Sequence, residues 1–159
     1  MGRSSSNKGG IMKKLTQVYL CGAVAPDPRC FEWRTKASAM LSHHFTVTDP
    51  SLNAADRSWR TGKTDIDTLI THTQGMFLFK DYAHIKETDI IFVNLTVRDP
   101  DRPMVGTLFE IAWGFHWKKC CIMIVDNSHY SKHPFIAYTA SAMFTDTVRA
   151  CTFIRGAYL

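Results

Sequence analysis

Glu110 is the residue whose surroundings most need a chemical explanation. It stands in the run GTLFEIAW, a lone carboxylate among Leu108, Phe109, Ile111, Ala112 and Trp113. Its spacing fits two roles. A glutamate in the first turns of a helix that opens at Gly106-Thr107 can simply favour the positive end of the helix dipole. The same position, after a strand over Ile90 to Leu95 and its loop, also lets the side chain face a ligand crevice, where a carboxylate can attack an anomeric carbon. The apolar company adds weight to the second role, because a helix-dipole residue has no need of it.

Asp81 and Asp89, eight residues apart in KDYAHIKETD, precede that strand. On a helix, positions 81, 85 and 89 share one stripe, so Asp81 can point at the crevice while Asp89 sits near the strand entry. Carboxylates gathered near Glu110 would raise its pKa or orient a sugar hydroxyl. Solvated helix acids paired with Lys80 and Lys86 would have the same sequence. Arg29 and Arg34 flank the first loop and helix, and Ser128, His129, Ser131 and His133 crowd the loop after the last clear strand, a set that suits a phosphate. Ordinary loop polarity, with Arg34 beside Trp33, is the alternative.

Among the tryptophans, Trp113 and Trp117 lie four apart on one helix face, the spacing of core or interface. Trp59 differs, since its loop is polar and it can contact a base or close a pocket. His43, His44, His72 and His116 show no ligand spacing and read as surface or packing residues, and no Cys/His grouping suggests zinc. No metal is expected.

The elements that must position these groups follow from β-rich runs and breakers. A chain of 159 residues, 45% hydrophobic and 21% charged, suits one core. Residues 1–12 are expected to be a disordered leader and 13–159 a single domain. The segment VYLCGAVA reads as a first buried strand with a Gly turn, followed by a helix over Phe31 to Ser42 and a short strand at Phe45 to Val47. Ser51 to Lys63 is polar and breaker-rich, a surface loop beside a site. Asp65 to His84 supports a helix broken or bent at Gly75, Ile90 to Leu95 is the clearest strand, and Arg98 to Pro103 is a turn-rich loop. Gly106 to Trp117 reads as helix and Cys121 to Val125 as strand. The last third is expected to hold a helix near Ile136 to Met143 and a short strand near Cys151 to Ile154. This alternation predicts an α/β fold, a parallel sheet covered by helices on both faces, with ligands at the carboxyl ends of the strands.

Composition excludes other classes. The longest apolar run, Cys120 to Val125, falls far short of the roughly 20 residues of a membrane span, and no signal peptide is visible, so a soluble cytoplasmic protein is expected. Five cysteines, an odd number with Cys120 and Cys121 adjacent, suit reduced thiols. The formal charge of +5 owes much to Arg3, Lys8, Lys13 and Lys14, and no basic helix is present. An anionic small molecule fits better than a nucleic-acid polymer.

Taken in order, VYLCGAV, FKDYAHIKETDIIFVNL and GTLFEIAWGFHWKKCCIMIV resemble the nucleoside 2-deoxyribosyltransferase family over most of Val18 to Val125. GTLFE alone is weak; the order and spacing of the three strings carry the resemblance. It implies a flavodoxin-like, doubly wound single domain that needs no cofactor. It also implies a homodimer or larger homo-oligomer in which neighbouring subunits complete each other's sites. Glu110 becomes the nucleophile that forms a glycosyl-enzyme intermediate on a nucleoside or nucleotide, with a free nucleobase or water as acceptor. Asp81 matches the acid near sugar and base, Tyr19 and Gly22 the pocket floor, Gly106 and Thr107 the GT pair, and Tyr158 in FIRGAYL an aromatic-ended tail near the site.

One departure bears on the mechanism. Many transferases of the family carry an Asp six residues before the nucleophile, where this chain has Met104. Asp99 or Asp101 in the same loop can substitute, or Asp81 must protonate the base. The family also contains hydrolases of nucleoside 5′-monophosphates, which need the phosphate cradle. A transferase is therefore the first expectation, a nucleotide N-glycoside hydrolase the second, and a non-catalytic nucleotide-binding module of the same fold the third.

Overall fold

The computed structural model describes residues 14–25, 27–52, 74–98 and 103–159. The expected leader, Trp59, His72, Asp99, Asp101 and the first part of the helix expected from Asp65 lie outside the described residues. Elements are numbered among the described residues.

Five parallel strands form one sheet: β1 (Gln17–Gly22), β2 (Thr46–Thr48), β3 (Ile90–Asn94), β4 (Cys120–Ile124) and β5 (Ala142–Phe144). Their order is β2-β1-β3-β4-β5. This is the flavodoxin-like order, and the chain reverses its direction of winding between β1 and β3. Among the described residues six α-helices accompany them: α1 (Arg29–Leu41), α2 (Gln74–Glu87), α3 (Val105–His116), α4 (His129–Lys132), α5 (Pro134–Thr139) and α6 (Thr147–Tyr158).

All of β3 and nearly all of β1 are buried, as parallel strands covered on both faces must be. The period of two then sorts their side chains. Val18, Leu20, Ile90 and Phe92 join Trp33, Leu41 and Ile154 of α1 and α6 in one layer, while Tyr19, Cys21, Ile91 and Val93 join Ile85 and Ile111 of α2 and α3 in the other. That alternation puts Tyr19 and Cys21 on the side that carries Asp81 and Glu110. Gly114 lets α3 lie close to the sheet: a Cβ there would fall 2.1 Å from Ile91 Cδ1. The helix ends through Lys118, whose φ of 54° turns the chain back into β4.

Two expectations for the last third are corrected. The helix near Ile136 stops at Thr139, and Ala142–Phe144 instead pairs with β4 as an edge strand. Cys151 to Ile154, expected as strand, lies in α6. Thr, Phe and Ile suggest a strand locally, but Ala150, Cys151 and Ile154 bury one helical face and the Asp146 side chain caps the helix by accepting from the Arg149 N–H at 2.9 Å. Gly75, where the helix was expected to break or bend, is the second residue of α2, and the stretch before Gln74 lies outside the described residues.

Candidate active site

Glu110 lies in the second turn of α3, beyond the first-turn positions where a helix dipole acts most strongly. It is buried, and both carboxylate oxygens are turned to β1. The Tyr19 hydroxyl donates to Oε1 at 2.6 Å and the Cys21 thiol donates to Oε2 at 2.7 Å. Burial raises the carboxyl from an ordinary 4.5 to about 7; the bonds from Cys21 and Tyr19 and the charge of Arg34 oppose that rise, and Asp81 adds to it. Near neutral pH the group is thus close to evenly divided between acid and carboxylate.

Asp81 comes from α2 and is half-buried against the same tyrosine. Burial raises its pKa, and the adjacent Tyr19 hydroxyl, His84 and Lys80 pull the other way. Tyr19 itself is held protonated, first by burial and then by the charges of Glu110 and Asp81. One turn along α2 from Asp81, the His84 ring lies 6.3 Å from that of Tyr19, and its buried Nδ1 has no hydrogen-bond partner among the described residues. Tyr19, Cys21, Asp81, His84 and Glu110 therefore form one cluster on β1, α2 and α3 beside the β1–β3 switch point.

The other expected residues divide into three groups. Gly22, Met104, Gly106 and Thr107 lie next to the cluster. A Cβ on Gly22 would stand 3.1 Å from the Asn94 carbonyl and 3.2 Å from the Trp33 ring, so the end of β1 has no room for a side chain. Thr107 is buried in the first turn of α3, and Met104 packs with Tyr19, Cys21 and Ile111 instead of presenting an acid. Gly106 is exposed, with open space where a Cβ would be.

A second group is near the carboxyl ends of the strands but engaged elsewhere. Arg29 is exposed and pairs with Asp27 at 2.6 Å. Arg34 departs from the phosphate-cradle expectation. Its side chain is 1% exposed and donates to the carbonyls of Cys30, Leu20 and Gly22 and to Asp49 Oδ1. A guanidinium committed to the end of β1 serves as an internal tie, with its face over Trp33 at 4.9 Å. His133 caps α5 through Nδ1, which accepts from the Phe135 N–H. Ser128 Oγ accepts from Arg98 at 3.1 Å, and Arg98 also pairs with Asp126 at 2.7 Å.

The third group lies at the wrong end of the sheet. Asp89 accepts from the Gln17 backbone N–H at the start of β1, and Tyr158 lines a hollow with Asp89, Lys118 and Cys120 at the amino-terminal edge. Neither belongs to the Glu110 site within the chain, because the carboxyl ends of the same strands carry that site. Trp33 is a core residue packed edge-on to Phe92, and Trp113 and Trp117 pack on Tyr82 between α2 and α3. Cys21, His84 and Arg98 were not anticipated. For Cys21 the signal was present, since it follows Tyr19 at the strand period of two.

All five cysteines are free, and no three His, Cys, Asp or Glu side chains among the described residues gather as a metal-binding set. No helix among them is long and apolar enough to cross a membrane.

Strand order and crevice together define a flavodoxin-like doubly wound protein with a buried carboxylate at its switch point. Neither a family model nor a curated protein matches the sequence. Among solved structures the fold is similar to a 2-deoxyribosyltransferase from Bacillus psychrosaccharolyticus, at TM-score 0.61 and 18% identity over 84% of this chain and 89% of that one. It is similar also to a CMP N-glycosidase from Clostridium botulinum, at TM-score 0.55 and 17% identity over 91% of this chain and all of that one. A 2-desoxiribosyltransferase from Leishmania mexicana aligns at TM-score 0.50 and 17% identity over 74% of this chain and 69% of that one. The likeness is one of fold.

Proposed function

We propose that this protein cleaves the N-glycosidic bond of a nucleoside or nucleotide by a two-step displacement with Glu110 as nucleophile. The observation that carries this reading is the Glu110 carboxylate itself: buried at the switch point, bonded through both oxygens to β1, and poised near neutrality. In the first step a Glu110 oxygen bonds to C1′ as the C1′–N bond breaks. The electron pair goes to the base, which takes a proton from Asp81, the acid whose pKa burial raises. In the second step an acceptor base or water attacks C1′, losing a proton to Asp81 and releasing Glu110. Met104 offers no acid, and of the acids named in its place Asp81 is the one that the described residues bring to Glu110, so this scheme uses it as the donor.

Transfer to another base is the first form of the proposal, supported by the fold shared with the deoxyribosyltransferases. Hydrolysis of a 5′-monophosphate is the second, supported by the fold shared with the CMP N-glycosidase and by Arg98 and Ser128 near the carboxyl ends of β3 and β4. Chromatography of each deoxynucleoside and monophosphate, with and without an acceptor base, separates them. Base exchange marks the transferase, free base with sugar phosphate marks the hydrolase, and no turnover alongside measurable nucleotide binding leaves only a binding module. Glu110→Gln should reduce turnover at least about a thousandfold and abolish any sugar adduct seen by intact-mass spectrometry.

We propose further that the chain works as a homo-oligomer. An apolar groove of about 760 Å³ between α3 and the α4–α5 segment is flanked by Phe115, Phe135 and Tyr138, which are 60%, 78% and 87% exposed. A second copy is the natural cover for such a surface.

A further inference from the structure

The Cys21 thiol lies on the floor of the cluster, fully buried, with its sulfur 2.7 Å from Glu110 Oε2. Its other acceptor, the Thr107 carbonyl, is farther away at 3.9 Å. Tyr19 occupies the opposite carboxylate oxygen at 2.6 Å. Both donors stand on one strand, two residues apart, with side chains on the same face, so the pleat of β1 itself sets the separation at which they meet the carboxylate.

We propose that Cys21 is a positioning residue that, with Tyr19, fixes the orientation of the Glu110 carboxylate. This inference rests on the reading of Glu110 as the nucleophile. A carboxylate held by one donor can still rotate about its last torsion, which is broad in glutamate. A second donor on the other oxygen removes that freedom, and orientation of the attacking atom is worth large factors in rate. A thiol suits the place because it is a weak, uncharged donor. It restrains the oxygen without drawing off the electron density that nucleophilic attack needs, and it stays neutral because burial, then Glu110, raises its pKa.

The groups that face Glu110 are Tyr19 and Cys21 from β1, Asp81 from α2 and Arg34 from α1. The test is a carbon-13 NMR titration of the Glu110 carboxyl, which needs no substrate. In Cys21→Ala and in Cys21→Val, which bracket the thiol in volume and lack a donor, the midpoint should rise by about one unit from the parent value. Cys21→Ser should hold the midpoint at or below the parent value. Turnover in the donor-free variants should fall roughly tenfold in kcat with KM unchanged, and the serine variant should recover most of it.

A midpoint that does not move in the alanine and valine variants would overturn the proposal, leaving Cys21 as packing alone. If neither variant folds, the parent protein supplies the measurement. One S–H stretching band should shift to lower frequency as pH rises through the Glu110 titration, and thiol bands unaffected by that titration would refute the contact. A shifted midpoint in a protein without glycosidic turnover would retain the hydrogen bond while removing the enzymatic reading, so the two failures are distinguishable.

Discussion

Glu110 carries an electrostatic cost that can be measured apart from any reaction. Its carboxyl is raised in the folded protein from 4.5 to about 7, so between those values the folded state binds the proton more tightly than the unfolded state does. Stability contributed this way is fully present below about pH 4.5, falls as pH rises, and is lost above about pH 7. The span corresponds to roughly 3 kcal/mol at most. Glu110→Gln should therefore unfold at a higher denaturant concentration than the parent at pH 8, with the gap closing at pH 4. The same titration sets the rising limb of activity with the opposite sense, since the nucleophile must be ionised: kcat/KM should climb with pH through a midpoint of about 7 and fall again where Asp81, the proton donor, ionises. Tyr19→Phe removes the donor to Oε1, and it should move that midpoint upward and lower kcat roughly ten- to hundredfold. Glu110 and Asp81 could be singled out from spacing and resemblance; Cys21 carried only the strand period that puts it on the face of Tyr19, and His84 carried no signal, because an imidazole gains its meaning here only from the atoms packed against it.

The site depends on how β1, β3 and α3 meet. Gly114 sets the depth of α3 against Ile91, so Gly114→Val should push the helix outward, break the bonds from Tyr19 and Cys21, and abolish turnover while leaving a folded protein of reduced stability. Circular dichroism melting paired with the exchange assay checks both halves of that outcome. Arg34 ties β1 to Asp49 after β2 and satisfies two carbonyls at the end of β1. Arg34→Met should cost about 3 kcal/mol in urea unfolding, since it takes the paired cation from the nearly buried Asp49 carboxylate, which keeps only its bonds from Ser51, and removes a donor from each of those carbonyls. Its effect on turnover should be the same for nucleosides and their 5′-monophosphates, which is the opposite of what a phosphate ligand would show. The sequence suggested a cradle because arginine beside a first loop is equally suited to a phosphate and to the carbonyls at a strand end.

The arrangement as a whole leaves a broad aromatic surface between α3 and the α4–α5 segment. Phe135→Glu together with Tyr138→Glu should shift the protein to a slower-eluting, lighter species in size-exclusion chromatography with light scattering, at concentrations where the parent is assembled. An unchanged mass would remove that face from the interface.

Apolar patterning alone made the central elements legible. VYLC, IIFVN and CIMI are uninterrupted buried runs, and the helices between them have one apolar face, because burial on both sides of a parallel sheet leaves a strong local mark. Local patterning failed where one stretch is compatible with two states: Ala142–Phe144 became strand because β4 offered a free edge, and Thr147–Tyr158 became helix because Asp146 capped it and α1 received its apolar face. Which end of the sheet a polar residue occupies was likewise beyond the sequence. Asp81 and Asp89 look alike in KDYAHIKETD, yet Asp81 reaches Tyr19 while Asp89 binds the start of β1. Sequence thus determined which residues are buried and how they alternate, both local consequences of hydrophobicity and backbone period. Tertiary structure decided which polar groups meet, because hydrogen bonds such as those from Tyr19 and Cys21 to Glu110 join residues about ninety positions apart and exist only once the sheet has formed.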